Sequence, residues 1–370
     1  MQYRRLGRTG VDVSAISLGT EYLINLPREH VTSVVHEAID RGINYFDLFF
    51  AQPQFRDNMG FAFKGYRNRV MLAAHLGASD RDGQYERTRD LQLSESLFFD
   101  FLDRYDTEYV DVVYLHNSDG QEDYDLIMKG GMLDMANRYV KEGKARYIGF
   151  SGHTVDTAIQ AVESGYIDIL TFPINPTGNA VPGKKDLFNA CVKHNVGLVA
   201  MKPYAGGKLL QESRKISVGY WQTGGGDASF ENSTIIKAIQ CLSYTLSQIG
   251  VSTAIPGCKD IDQLSESLAY FEAKDEEKDF SAIIEQFKEY TTGECVYCNH
   301  CLPCPSEIDI GKTIRLFEMA QNGLTSELRS AYDLMENNAS DCVQCGSCEE
   351  RCPFGVEVIS KMEQASKLFS

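Results

Sequence analysis

The sequence predicts an α/β chain in two parts: a (β/α)8 TIM barrel over residues 1–275, then a small α-helical, ferredoxin-like iron–sulfur domain over residues 285–370. Three observations predict it. Eight short apolar runs alternate with amphipathic stretches through the first 275 residues, the pattern of parallel strands buried on both faces by helices. The count of eight implies closure into a barrel, and no glycine-rich phosphate fingerprint follows the first run, as an open doubly wound sheet would want. Eight of the eleven cysteines crowd into two runs near the C-terminal end.

The expected strands, in order, are "VSAISLGT" to Thr20, "INYFDLF" to Phe49, "VMLAAHLG" to Gly77 and "VDVVYLHN" to Asn117. They continue with "ARYIGFSG" to Gly152, "IDILTFPIN" to Asn175, "GLVAMKPY" to Tyr204 and "STAIPG" to Gly257. Each is bounded by turn residues and rich in β-branched or aromatic side chains. Stretches such as "REHVTSVVHEAIDRG" and "STIIKAIQCLSYTLSQIG" lie between them with helical periodicity, each closed by a glycine suited to a helix C-cap. The segment from Ala205 to Asn232 is too long for a routine barrel loop. It holds the only tryptophan, Trp221, and a Gly224–Gly226 run, and is expected to form a lid over the strand ends. "FEAKDEEKDFS", around Asp275, is a charged linker between the two parts.

Composition narrows the partners. A net charge of −16 over 370 residues opposes binding to nucleic acid or an anionic membrane, because a phosphate polymer repels such a surface. The opening "MQYRRLGRTGVDVS" lacks a signal peptide's apolar core, and no apolar stretch is long enough to cross a bilayer. A cytoplasmic location is expected. In a reducing compartment, clustered cysteines serve as metal ligands rather than disulfides.

Cys342, Cys345, Cys348 and Cys352 have the C-x2-C-x2-C-x3-C-P spacing of bacterial cluster-binding runs. Three close thiolates cap three irons of a cubane, and the fourth reaches the other cluster. The first run, Cys295, Cys298, Cys301 and Cys304, is one residue shorter before its last cysteine, which makes Cys304 the least regular ligand. The exchange expected is one [4Fe–4S] cluster on Cys295, Cys298, Cys301 and Cys352, and a second on Cys342, Cys345, Cys348 and Cys304. Zinc fits poorly, because it prefers separated C-x2-C pairs. Cys191, Cys241 and Cys258 stand singly and read as core residues.

In a barrel, chemistry sits at the C-terminal strand ends. Those positions carry Asp47, Gln52, His75, His116, Ser151, His153, Asn175, Met201 and Lys202. Three of the seven histidines stand on three consecutive strand ends, beside Asp47. Any one alone reads as a structural histidine, but the group points to a site.

"YRRLGRTGVDVSAISLGT", "GINYFDLFFAQ", "VDVVYLH", "GKARYIGFSGH", "GLVAMKPYAGGKL" and "VSTAIPGCKDIDQLSESL" follow one another in the order of the landmarks of the aldo/keto reductase family, which the first 272 residues resemble. With the cysteine runs, the chain resembles the branch of that family bearing a fused iron–sulfur domain. The resemblance implies NADP(H) extended across the strand ends and a catalytic aspartate, tyrosine, lysine and histidine. Asp47 matches the aspartate and His116 the histidine. Gln52 stands where the tyrosine would be and His75 where the lysine would be. An amide releases no proton at any accessible pH, so Gln52 does not do the tyrosine's work. Ser151 matches the residue that contacts the carboxamide, while Thr171 and Met201 replace the usual glutamine and stacking aromatic. Lys202 joins the strand-end cofactor set, Lys259 is placed to meet a 2′-phosphate, and Glu266 to meet the adenine.

The function expected is that of an iron–sulfur oxidoreductase passing electrons between two clusters and a small organic substrate or organic cofactor at the barrel's C-terminal face. NADP(H) is the expected carrier and a flavin the alternative, because clusters pass single electrons and a nicotinamide passes hydride. A ferredoxin or flavodoxin is the expected protein partner. The alternatives are a conventional NADPH-dependent carbonyl reductase with structural or regulatory clusters, an electron carrier or sensor on a degenerate barrel, and a metal hydrolase using His75, His116, His153 and Asp47.

Overall fold

The computed structural model describes residues 1–81, 84–118, 120–176, 183–210, 214–217, 229–232, 236–285, 295, 301–321, 323–352 and 355–370. Fourteen strands are named in chain order. β1 (Tyr3–Arg5) and β2 (Asp12–Ser14) form an antiparallel hairpin. β3 (Leu18–Gly19), β4 (Tyr45–Leu48), β5 (Met71–Leu76), β8 (Val110–Ser118), β9 (Ala145–Gly152), β10 (Ile169–Pro173), β11 (Gly197–Met201) and β14 (Val251–Ile255) form one parallel sheet. Its order runs β14-β11-β10-β9-β8-β5-β4-β3. Parallel bridges from Ile16 to Ala254 and from Gly19 to Gly257 join the two outer strands and close the barrel. The remaining pairs are hairpins: β6 (Ala78–Arg81) with β7 (Gln84–Arg87), and β12 (Arg214–Ser217) with β13 (Ser229–Asn232).

A strand's two-residue period sorts its side chains. Tyr45, Ala73, Val112, Tyr114, Ile169, Val199 and Ile255 face inward and pack together, with Leu6 and Val13 of the first hairpin stopping the N-terminal end. Their neighbours Phe46, Leu72, Val113 and Leu198 face outward into the core shared with the helices. The same parity carries Asp47 above Tyr45, His75 above Ala73 and His116 above Tyr114. Sequence period therefore delivers these three groups to the top of the barrel interior. Gly149 makes room beneath them, because a Cβ there would stand 2.3 Å from the Tyr114 ring.

Two expectations are corrected. The first apolar run does not form one strand to Thr20: Asp12–Ser14 turns back on Tyr3–Arg5, and only Leu18–Gly19 pairs with β4, while Ile16 and Gly19 bridge to the β14 side. Hydrogen bonding the short N-terminal segment to its neighbour stops the barrel's lower end, which an extended first strand would leave open. The hairpin β6–β7, directly after β5, was not expected at all. Of the expected lid, the described residues are Ala205–Leu210 and the pair β12–β13; Trp221 and the Gly224–Gly226 run lie outside the described residues.

The C-terminal part is helical: Ile310–Ala320, Ser326–Asp333 and Val358–Phe369 pack together, with Tyr332 stacked on Phe369 at 4.0 Å. Its apolar residues, Ile314, Phe317 and Met362 among them, join one continuous core with the barrel helices. Arg315 donates to the carbonyls of Gln248 (3.2 Å) and Leu246 (3.5 Å), which precede β14 and so mark the barrel's N-terminal rim. Glu318, one turn on, meets Lys361 at 3.0 Å and Lys185 at 3.8 Å. Lys185 is the second residue of the helix Lys184–Lys193, which starts near the catalytic rim. The helix Ile310–Ala320 therefore climbs the barrel wall toward the catalytic end. No described helix is long and apolar enough to cross a membrane.

Candidate active site and cluster site

Asp47, His75 and His116 meet at the strand ends. Asp47 Oδ1 accepts from His75 Nε2 at 2.8 Å, and His75 Nδ1 lies 2.8 Å from His116 Nδ1, so one of these two nitrogens donates to the other. Below them Tyr114 stacks on His75 at 4.7 Å, and the Tyr114 and Tyr45 hydroxyls bond at 2.7 Å. Burial pushes both phenols above their ordinary value. His116 is 5% exposed. Burial first, then the charges of His75, Arg89, His153 and Arg87, hold it well below the ordinary histidine value.

The fourth sequence candidate is not part of this group. Gln52 precedes the helix Pro53–Phe63 without a side-chain capping bond and donates to Asn25 Oδ1 at 3.0 Å, while its Oε1 is buried without a partner among the described residues. A residue the sequence reasoning missed takes up the remaining nitrogen: Tyr85, on β7, places its hydroxyl 2.6 Å from His116 Nε2. Asp82–Gly83, between the runs "ASDR" and "QYER", is a strong short-range hairpin signal and could have revealed it. Phe49 lies edge-on to Tyr85 at 5.7 Å and parallel to His116 at 6.0 Å. Both ring nitrogens of His75 and of His116 meet protein groups, His75 with Asp47 and His116, and His116 with His75 and Tyr85, so a metal bound by this group, as a hydrolase would need, would displace those contacts.

The proposed cofactor contacts spread along the rim. Ser151 is buried at the end of β9. Lys202, with φ +55° just past β11, donates to His153 Nε2 at 2.8 Å, and Asn175 donates to the Lys202 carbonyl at 3.0 Å. Lys259 is exposed, 4.0 Å from Asp260, whose other oxygen caps the helix Ile261–Leu268 by accepting from Gln263 N. Glu266 lies exposed on that helix. The buried Asn117 Oδ1 and Ser118 Oγ have no partner among the described residues. Unfilled polar positions at the end of β8, together with an exposed lysine on the rim, fit a polar, phosphate-bearing ligand such as a dinucleotide.

A second site lies in the helical part. Cys301, Cys304, Cys342, Cys345 and Cys348 line one apolar cavity with Ile310, Val358 and Met362. Four of these cysteines are the set expected for one cluster, and Cys304 is among them. Arg351 ties the two runs together by donating to the carbonyls of Cys301 and Pro303. The Cys345 thiol is held below its ordinary value chiefly by the Ser347 backbone N–H, which favours the thiolate a metal needs. An apolar cavity ringed by thiols fits an iron–sulfur cluster, which is wider than a single ion. Cys352 and Cys295 pack partly buried against the same core; Cys298 lies outside the described residues.

Comparison with known proteins assigns both parts of the chain to a family. Residues 15–288 match the aldo/keto reductase family and residues 291–356 the 4Fe-4S dicluster domain. The chain is 25% identical over 286 residues to the uncharacterized oxidoreductase YqkF of Bacillus subtilis, covering 72% of this chain and 90% of that protein. It is 27% identical over 223 residues to L-glyceraldehyde 3-phosphate reductase of Escherichia coli, covering 56% of this chain and 63% of the relative. The solved aldo-keto reductase AKR11C1 from Bacillus halodurans, in its holo form, shares the fold with a TM-score of 0.62 at 22% identity, over 77% of this chain and 96% of that one. The chain belongs to the aldo/keto reductase family and is an oxidoreductase of that type carrying a 4Fe-4S dicluster domain.

Proposed function

We propose that the barrel oxidises or reduces a small organic molecule at a carbon bearing hydroxyl or carbonyl oxygen, with NADP(H) as carrier. Two [4Fe–4S] clusters would exchange single electrons between this site and a ferredoxin- or flavodoxin-like partner. The observation that carries the reading is the Asp47–His75–His116 chain of hydrogen bonds at the strand ends, beside a separate cavity ringed by cysteines. When bound, the nicotinamide supplies or accepts hydride. Ser151, Lys202, Lys259 and Glu266 would hold the dinucleotide, and the histidine chain would manage the accompanying proton.

A second reading rests on the docking geometry. The cysteine cavity adjoins Ile310, the first residue of the helix whose Arg315 grips the N-terminal rim. That cavity therefore lies toward the barrel end opposite the catalytic face. A barrel is several strand residues tall at roughly 3.3 Å each, and single-electron exchange weakens steeply with distance. On this second reading the clusters hold the domain together while the barrel works alone with NADP(H).

One experiment separates them. Anaerobic protein is mixed rapidly with NADPH and 4-nitrobenzaldehyde, while cluster absorbance and electron paramagnetic resonance are followed. Cluster reduction or oxidation keeping pace with NADPH consumption supports electron transfer. Steady turnover with the clusters unchanged supports the second reading, and absence of any NADP(H) binding removes nicotinamide from both.

A further inference from the structure

The position that should deliver a proton to the substrate oxygen holds an amide, and Gln52 turns it toward Asn25. Three tyrosines lie near the histidine pair instead. Tyr45 and Tyr114 bond each other beneath it, fully buried, so neither hydroxyl reaches the open face. Tyr85 approaches from above on an inserted hairpin and is 42% exposed. Its ring is fixed edge-on against Phe49 and Phe50, and its hydroxyl lies 2.6 Å from His116 Nε2.

Resting on the reading of the barrel as a nicotinamide-linked site, we propose that Tyr85 is the catalytic residue that exchanges a proton with the substrate oxygen, at the outer end of a relay through His116 and His75 to Asp47. The donors and acceptors fix how the relay works. An ionised carboxylate only accepts, so His75 Nε2 carries a proton. With His75 singly protonated, its Nδ1 accepts from His116 Nδ1–H, and His116 Nε2 accepts from the Tyr85 hydroxyl, whose oxygen can itself accept a proton. One proton added to His75 reverses every bond: His75 donates to His116, His116 Nε2–H donates to Tyr85, and the Tyr85 hydroxyl turns outward to give its proton away.

Alcohol oxidation then balances as follows. The carbinol C–H bond breaks and its electron pair leaves as hydride to an oxidised nicotinamide dinucleotide. The hydroxyl proton passes to the Tyr85 oxygen as Tyr85 gives its own to His116 Nε2, and His116 gives its Nδ1 proton to His75. The product is a carbonyl, and the released proton rests on a His75 imidazolium paired with Asp47. Carbonyl reduction runs the same bonds backwards.

The test uses the full chain with its clusters, under anaerobic conditions. Kinetics are measured with 4-nitrobenzyl alcohol and NADP+, and with 4-nitrobenzaldehyde and NADPH. Tyr85→Phe should lower kcat in both directions by about 10²–10⁴-fold, with KM changed far less. Replacing Tyr85 by 3,5-difluorotyrosine, a more acidic phenol, should restore turnover and move a limb of the pH profile to lower pH. The groups facing His116 (His75, His153, Arg87 and Arg89) are the same in all three proteins. In the free enzyme, 15N-histidine spectra should show the His116 Nε2 signal displaced by Tyr85→Phe. Unchanged kcat in Tyr85→Phe, or an unmoved His116 Nε2 signal, would overturn the proposal. If the native protein turns over neither probe, the nicotinamide reading falls, and the histidine spectra still decide whether Tyr85 ends the relay.

Discussion

His116 has one neighbour on each ring nitrogen, Tyr85 on Nε2 and His75 on Nδ1, and its depressed affinity for protons has a measurable consequence. Burial and the surrounding charges disfavour its imidazolium in the folded chain. As pH falls below the ordinary histidine value of about 6.5, the unfolded chain takes up a proton that the folded chain refuses. Stability from this residue is thus present above that pH and declines as acid is added, by up to ~1.4 kcal/mol per pH unit until the folded group itself titrates. Denaturant midpoints at pH 7 and pH 5, taken anaerobically, should fall further in the native protein than in His116→Gln. Parallel declines would mean that His116 protonates freely in the fold. At this scale the sequence was half informative. Strand parity pointed Asp47, His75 and His116 to one place, but Tyr85 reaches them only through a hairpin pairing invisible to periodicity.

At the scale of elements, the legible features were those with long, regular patterns. β8 and β9, each a run of eight or nine residues, were readable because buried parallel strands are continuously apolar. β3, two residues long, was not, since nothing in "VSAISLGT" marks where a hairpin ends and a barrel strand begins. The helix Lys184–Lys193 offers a test of packing. Its first residue, Lys184, is 4% exposed, with its ammonium 5.7 Å from the Phe188 ring centroid. Burial pushes it from 10.5 down to about 7. Between those values the unfolded chain holds a proton that the folded chain lacks, so stability rises with pH across the window and the charge is costly at and below neutrality. Lys184→Met should raise the denaturation midpoint at pH 7 by about 1–4 kcal/mol of stability, and the gain should shrink as pH approaches 10.5. A loss of stability at pH 7 would show that the fold needs this ammonium.

At the scale of the whole molecule, two chemistries share one hydrophobic core. Ile314 and Phe317, in the helix Ile310–Ala320, are buried against it together with Leu187 and Leu242 of the barrel helices, and Arg315 and Glu318 tie that helix to Gln248 and Lys185 of the barrel. The cysteine cavity opens directly beside this helix, lined by Ile308 and Ile310. Metal binding in such a site is folding free energy, because its ligands converge only when the domain is formed. Cys304 is the cysteine to test. It comes from the shorter first run, yet it lines the cavity with Cys342, Cys345 and Cys348. Anaerobically prepared protein should contain about eight irons and eight sulfides per chain, as two cubanes require, and Cys304→Ala should lose about half of each. The same variant should also unfold at lower temperature than the native chain, because loosening the helix Ile310–Ala320 uncovers the barrel wall. Iron content unchanged in Cys304→Ala would place the fourth thiolate elsewhere. Lost iron without any thermal shift would show that the cluster and the barrel core are energetically separate.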